Sequence, residues 1–131
     1  MLTHLGTPSF ALTGSVGIYN IGFGLFHILF WRLFEWPRSI RASGAVNAAI
    51  TQTLNVMLTY CFLLYGGWLI WTSAAEVMPH PLLLSAGGGF WLLRTAVQPV
   101  LFQMRSRRSV VITAVFVLGT GLHFVAAWFS R

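Results

Sequence analysis

Residues 90–103, FWLLRTAVQPVLFQ, form an apolar run that contains an arginine, two glutamines and a proline. Its apolar character predicts a helix that crosses a membrane. A charged side chain near the centre of a bilayer costs from about 3 to roughly 10 kcal/mol, depending on how far water and lipid head groups reach it. The rest of the chain must therefore accommodate Arg94.

The composition of the whole chain indicates an integral membrane protein. Of its 131 residues, 56% are hydrophobic and 8% are charged, whereas about a quarter of the residues in soluble domains are charged. The net charge of +6 comes from eight arginines, most of which lie in the short gaps between apolar runs. Arginines in such gaps report membrane orientation, and nucleic-acid binding is not expected.

Four apolar segments predict an all-α, four-helix bundle that forms one transmembrane domain over residues 1–131. The predicted spans cover approximately residues 9–34, 45–71, 82–104 and 110–129. Each segment is long enough to cross a hydrocarbon core of about 30 Å. We also expect self-association, because four short helices around a polar core leave little buried surface in one copy.

The connections after the first and third spans predict the orientation, because they lie on the same side and are rich in arginine. The positive-inside rule places them in the cytoplasm. Both termini then lie on the outer, periplasmic side of a bacterial inner membrane. The arginines concerned are Arg32, Arg38, Arg41, Arg105, Arg107 and Arg108.

Polar residues recur at three- or four-residue spacing on each span, which places them on one helix face. Counting from the predicted cytoplasmic ends at about 1.5 Å per residue puts five of them roughly 9 to 16 Å deep. Two further residues, Asn20 and His123, fall roughly 10 Å closer to the outside, where they would line an outward continuation. The five are His27, Gln52, Asn55, Arg94 and Gln98.

We interpret the five polar residues as a site that binds or conducts a small molecule or anion. Both carboxylates of the chain, Glu35 and Glu76, lie near span ends. Arg94 therefore has no acidic partner at its depth, which favours a bound carboxylate, phosphate, halide or lipid head group. The alternative is a hydrogen-bonded knot that only holds the helices together, at about 0.6 kcal/mol per contact on average.

Glycines predict where the helices pack closely, since small residues let two backbones approach. They occur mainly in the predicted outer half of the spans. We therefore expect a tightly packed outer half and a cavity that opens to the cytoplasm. The glycines are Gly14, Gly17, Gly66, Gly67, 87–89, Gly119 and Gly121.

No cofactor, metal site or catalytic set is predicted. Heme between His27 and His123 would need two ligands at similar depth, and the offset of roughly 10 Å argues against it. A quinone site that uses His27 and a nearby amide stays open as an alternative. The sequence contains no metal-ligand spacing, paired carboxylates, activated nucleophile or phosphate loop, so we do not expect an enzyme.

Three segments resemble recurrent parts of small uncharacterised bacterial inner-membrane proteins with four spans. They are residues 24–36 (GLFHILFWRLFEW), 47–55 (NAAITQTLN) and 90–99 (FWLLRTAVQP). In size and span number the chain is also similar to DoxX-like proteins, holin-like proteins and small fluoride channels. The threonine- and serine-rich pore signature of fluoride channels is missing. The resemblance implies a four-span architecture and transfers no functional residue.

Two functions are therefore expected from the sequence. The first is binding or conduction of a small molecule or anion, with Arg94 as the anion contact. The second is an accessory subunit of a larger respiratory or photosynthetic membrane complex, with the polar face at a quinone or heme site.

Overall fold

The computed structural model describes residues 6–131, with side chains from residue 8 onward. Within this range the chain is all-α. A short 3-10 turn at Arg41–Ser43 precedes the third helix. The five α-helices are α1 (Gly6–Ile28), α2 (Phe30–Leu33), α3 (Ala45–Ala74), α4 (Pro81–Leu101) and α5 (Arg107–Phe129).

Local sequence explains where two of the long helices begin. Pro81 occupies the first turn of α4, where a missing N–H costs nothing, and His80 Nδ1 accepts a hydrogen bond from Leu82 N at 3.2 Å. At the start of α5, the Ser106 hydroxyl accepts from Ser109 N at 3.1 Å. Both side chains satisfy N–H groups that a helix leaves free at its first turn.

The four predicted spans each correspond to helix, with shifted ends. The first predicted span, residues 9–34, is divided at Leu29 into α1 and α2. The third ends at Leu101 instead of residue 104, because Phe102 adopts an extended backbone with φ −122° and ψ 143°.

Three helices are long and apolar enough to cross a membrane, namely α1 from Pro8, α3 and α5. Helix α4 has 21 residues but is not among them, since Arg94 and Gln98 lower its hydropathy. The described part of the chain thus has the composition of a membrane protein, with three strongly apolar helices. Membrane crossing by α4 and the side on which the termini lie stay predictions.

The long helices follow the spatial order α3, α1, α5, α4. Helix α1 packs along α3 and along α5, and α4 packs along α5. Neighbouring helices run antiparallel, so the connections at 34–44 and 102–106 lie at one end of the bundle. We call this the arginine end, and the opposite end, where α1 begins and α5 finishes, the terminal end.

Two hydrophobic clusters fill the bundle at successive levels. The cluster nearer the arginine end is aromatic, and its centre is Trp91, which is 1% exposed. The Trp91 ring stacks on Phe62 at 5.5 Å and on Phe116 at 5.8 Å between ring centroids. Phe23 completes this cluster. The cluster nearer the terminal end consists of Val16, Leu69, Leu84, Ala126 and Ala127.

Glycines bring α1 and α3 into backbone contact toward the terminal end. A Cβ atom on Gly17 would lie 2.8 Å from the Gly66 carbonyl oxygen, and one on Gly66 would lie 2.7 Å from the Gly17 carbonyl oxygen. The predicted close packing is therefore confirmed at this pair. It does not extend to every glycine, because a Cβ on Gly67 or Gly121 would meet nothing within 4 Å.

Candidate ligand-binding site

A cavity of about 810 Å³ lies at the arginine end of the bundle, bordered by Trp91. Side chains from all five helices and from both connections at that end line it. Most of the lining is aromatic, so the cavity offers an apolar wall with a few polar groups. The aromatic residues are Phe23, Phe26, Phe30, Phe34, Trp36, Phe62, Phe90, Trp91, Phe102 and Phe116; the polar ones are His27, Ser39, Arg94, Gln98, Arg108 and Ser109.

Arg94 reaches the cavity from α4 and is held by two aromatic rings. Its guanidinium carbon lies 4.4 Å from the ring centroid of Phe116 and 5.2 Å from that of Phe102. Such cation–π contacts contribute about 0.5 to 2 kcal/mol each. The Nη1 atom is buried and has no hydrogen-bond partner among residues 6–131. The rings thus hold the guanidinium in place without neutralising its charge.

Gln98 lies one helical turn beyond Arg94, on the same face of α4. Its side chain is 1% exposed, and its Oε1 atom accepts no hydrogen bond from the described residues. Leaving a buried polar atom without a partner costs about 1–3 kcal/mol. One wall of the cavity therefore carries an unsatisfied donor and an unsatisfied acceptor in adjacent turns.

His27 faces the same cavity and is positioned by Asn55. The Asn55 amide nitrogen donates to the His27 carbonyl oxygen at 2.9 Å, which orients the amide. The His27 Nδ1–H then donates to Asn55 Oδ1 at 2.7 Å. This pattern leaves the lone pair of Nε2 available, because one ring nitrogen of a neutral imidazole donates and the other accepts. The His27 ring also stacks on Phe30, with centroids 4.5 Å apart.

Three of the seven predicted site residues, His27, Arg94 and Gln98, line the cavity directly. Asn55 lies behind His27 and acts through it. Gln52 is not in the lining; its Oε1 accepts from Trp31 Nε1 at 3.3 Å, and its Nε2 donates to the Ala48 carbonyl at 3.2 Å.

Asn20 and His123 lie at a different level, toward the terminal end, and form a closed pair. The His123 Nδ1–H donates to the Gly119 carbonyl at 2.6 Å, and Nε2 accepts from the Asn20 amide at 3.1 Å. Exposure is 1% for Asn20 and 0% for His123. Neither side chain belongs to the cavity lining, so the predicted outward continuation is filled with protein at this level. His27 and His123 are thus paired with different asparagines.

The aromatic residues of the cavity lining, which we call the aromatic wall, are the part of the site that the pattern of polar residues did not predict. Phe23, Phe26, Phe30 and Phe34 recur at intervals of three and four residues, which is the spacing of one helix face. All four line the cavity. This phenylalanine stripe is a signal in the sequence that could have identified the wall.

Comparison with known proteins adds no functional assignment. No protein-family model, curated protein or solved structure matches the chain. Within residues 6–131, no three His, Cys, Asp or Glu side chains form a group suited to a metal ion.

Proposed function

We propose that the protein binds a small anionic molecule in this cavity, inside a bacterial inner membrane, with Arg94 as the charge contact. The supporting observation is the buried Nη1 atom, which lacks a hydrogen-bond partner within residues 6–131, on a residue that lines a cavity of about 810 Å³. Cavities of about 300–1,000 Å³ are typical of small-molecule sites. A carboxylate, phosphate or sulfonate would supply both the opposite charge and the acceptor oxygens.

The unsatisfied atoms favour a binding site over a purely structural knot. In a knot the polar groups satisfy one another, as Asn20 and His123 do. A small rotation could bring the Arg94 donor to the Gln98 acceptor, since the two residues are one turn apart. That contact would still leave the guanidinium charge without a counter-ion, which an anionic ligand supplies.

The proposed topology places the cavity on the cytoplasmic side, with four spans and both termini outside. It is supported by the arginines of the two connections at the cavity end. Passage of a ligand across the membrane would require the Asn20–His123 level to open.

The test is ligand binding to an Arg94→Gln variant. Native mass spectrometry of the protein, gently extracted from its own membrane, first identifies the small molecule that it carries. Binding of that molecule is then measured for wild type and variant in detergent. We expect the affinity to fall roughly 10- to 100-fold, because a hydrogen bond to a charged group contributes about 1.5–3 kcal/mol.

Arg131→Gln is the matched control, since Arg131 also lies over an aromatic ring, 5.1 Å from the Trp128 centroid, but at the terminal end. It should leave the affinity unchanged. Equal affinity of wild type and a folded Arg94→Gln protein would show that Arg94 is not the anion contact.

An accessory subunit with a quinone at the same place is the second candidate. The observation that favours it is the aromatic lining next to the free Nε2 of His27. The same mass spectrum separates the two functions. Foreign chains or a bound quinone would support the subunit, whereas a homo-oligomer with a bound anion would support the first proposal.

A further inference from the structure

One side of the bundle is not closed by helix packing. Helices α1 and α3, α1 and α5, and α4 and α5 pack against each other, but no Cα atom of α3 lies within 8 Å of one in α4. Large side chains bridge the two helices instead. The rings of Phe62 and Phe90 are 5.6 Å apart, and the Tyr65 hydroxyl donates to the Leu83 carbonyl at 3.4 Å.

These bridges stop at the level where the cavity begins. Phe62 and Phe90 both line the cavity, and farther toward the arginine end α3 contributes Leu58 while α4 contributes Arg94 and Gln98. We call the side of the cavity between α3 and α4, on the arginine side of the Phe62–Phe90 contact, the lateral gap. A ligand that leaves through it would pass the Phe90 ring.

The surroundings of the lateral gap are apolar. Phe90 is 41% exposed, and Leu54 of α3 and Leu101 of α4 are 58% and 71% exposed. In a membrane these side chains contact lipid, because an exposed apolar helix surface there faces hydrocarbon. The gap therefore opens toward the bilayer, where molecules with an apolar body accumulate.

We propose that the ligand is a lipophilic carboxylate that enters the cavity sideways from the membrane, through the lateral gap and past Phe90. This inference rests on the proposed function, since it names the ligand class and route of the same site. The aromatic wall covers the apolar body of such a ligand. The Arg94 guanidinium pairs with one carboxylate, whose two oxygens match the N–H groups of an arginine side chain. A halide or inorganic phosphate would leave the aromatic wall without a partner.

The ligand class is tested with 4-butylbenzoate, benzoate and inorganic phosphate. Binding of each radiolabelled probe to the full chain in nanodiscs is measured above the binding to protein-free nanodiscs. We expect 4-butylbenzoate to bind on the order of 100-fold more tightly than benzoate, because its butyl group is buried against the wall. Inorganic phosphate should show no binding above that to protein-free nanodiscs.

Three outcomes separate the two proposals. Equal affinity for benzoate and 4-butylbenzoate would overturn the lipophilic ligand class. Arg94-dependent binding of phosphate without binding of 4-butylbenzoate would overturn it too, and would leave the anion site intact. If Arg94→Gln changed the binding of none of the probes, the proposed anion site would be wrong. The lipophilic ligand class, which rests on that site, would be overturned with it.

The route is tested by the exchange rate of bound 4-butylbenzoate. Phe90→Ala should speed association and dissociation several-fold, and Phe90→Trp should slow both, since the side chain at the gap sets the barrier. Leu93→Ala is the matched control, because Leu93 is 65% exposed on α4 and is not in the cavity lining. Its rates should equal those of wild type. Rates that respond to Ser39→Trp and not to either Phe90 variant would show entry from the arginine end.

Discussion

Two histidine–asparagine pairs at different levels of one bundle show how packing separates structure from a binding site. The Asn20–His123 pair is enclosed, and both imidazole nitrogens have partners. The His27–Asn55 pair uses one imidazole nitrogen and leaves the other beside a cavity. Residue type is the same in both places, so the difference comes from the neighbours.

The neighbours differ in size. At the Asn20–His123 level, glycine lets an aromatic ring and an imidazole close the space: a Cβ on Gly87 would lie 2.6 Å from the Tyr65 hydroxyl and 2.5 Å from His123 Cδ2. At the His27 level, aromatic rings line the cavity without filling it. Tight packing is therefore characteristic of the terminal end, and unsatisfied polar atoms are characteristic of the candidate site.

The largest effect on stability should come from Gly66→Ala, which disturbs the close packing of α1 and α3 toward the terminal end. The new methyl group would press on the Gly17 carbonyl, which is backbone and cannot turn away. We expect a loss of about 3 kcal/mol in the free energy of unfolding, the upper range for overpacking. Unfolding in SDS, followed by circular dichroism, measures it.

Gly67→Ala is the neighbouring control, with nothing within 4 Å of the added Cβ. It should be neutral or stabilise by up to about 1 kcal/mol, as alanine does in a helix. If both alanines behave alike, α1 and α3 do not meet where the structure places them.

A smaller loss, about 2 kcal/mol, is expected for Asn20→Leu. It leaves His123 Nε2 buried without a donor, and an orphaned buried acceptor costs about 1–3 kcal/mol. Asn55→Leu should cost less, because His27 lines the cavity and is only half-buried, whereas His123 is fully buried. Equal losses in the same SDS titration would mean that the two pairs are equally enclosed, and the contrast between the closed Asn20–His123 pair and the His27–Asn55 pair at the cavity would not hold.

Hydropathy and helical spacing predicted the long helices and three residues of the cavity lining. The apolar runs located the four long helices, and counting depth from the arginine connections brought His27, Arg94 and Gln98 to one level. Depth is readable because every helical residue adds the same rise. The structure places these three residues around one cavity.

Direction around the helix axis was harder to predict. The sequence grouped Gln52 with His27, although Gln52 is engaged by Trp31. It also treated Gly66 and Gly67 alike, although only Gly66 meets another helix. Which face meets which neighbour depends on the order of helices in space. The lateral gap arises from that order and leaves no local mark in the sequence.

The smallest expected effect also has the opposite sign. Gln98→Leu removes a buried Oε1 atom that has no partner within residues 6–131 and keeps a side chain of similar size. The ligand-free protein should therefore gain about 1 kcal/mol in the free energy of unfolding, since replacing an unsatisfied polar group by an apolar one is stabilising.

Gln52→Leu is the same substitution at a glutamine with two hydrogen bonds, and it should lose about 1 kcal/mol. Thermal unfolding of both variants in detergent, after removal of bound small molecules, compares them. A loss of stability in Gln98→Leu would mean that the glutamine already has a partner in the ligand-free protein, and the contrast between a satisfied and an unsatisfied end of the bundle would then not hold.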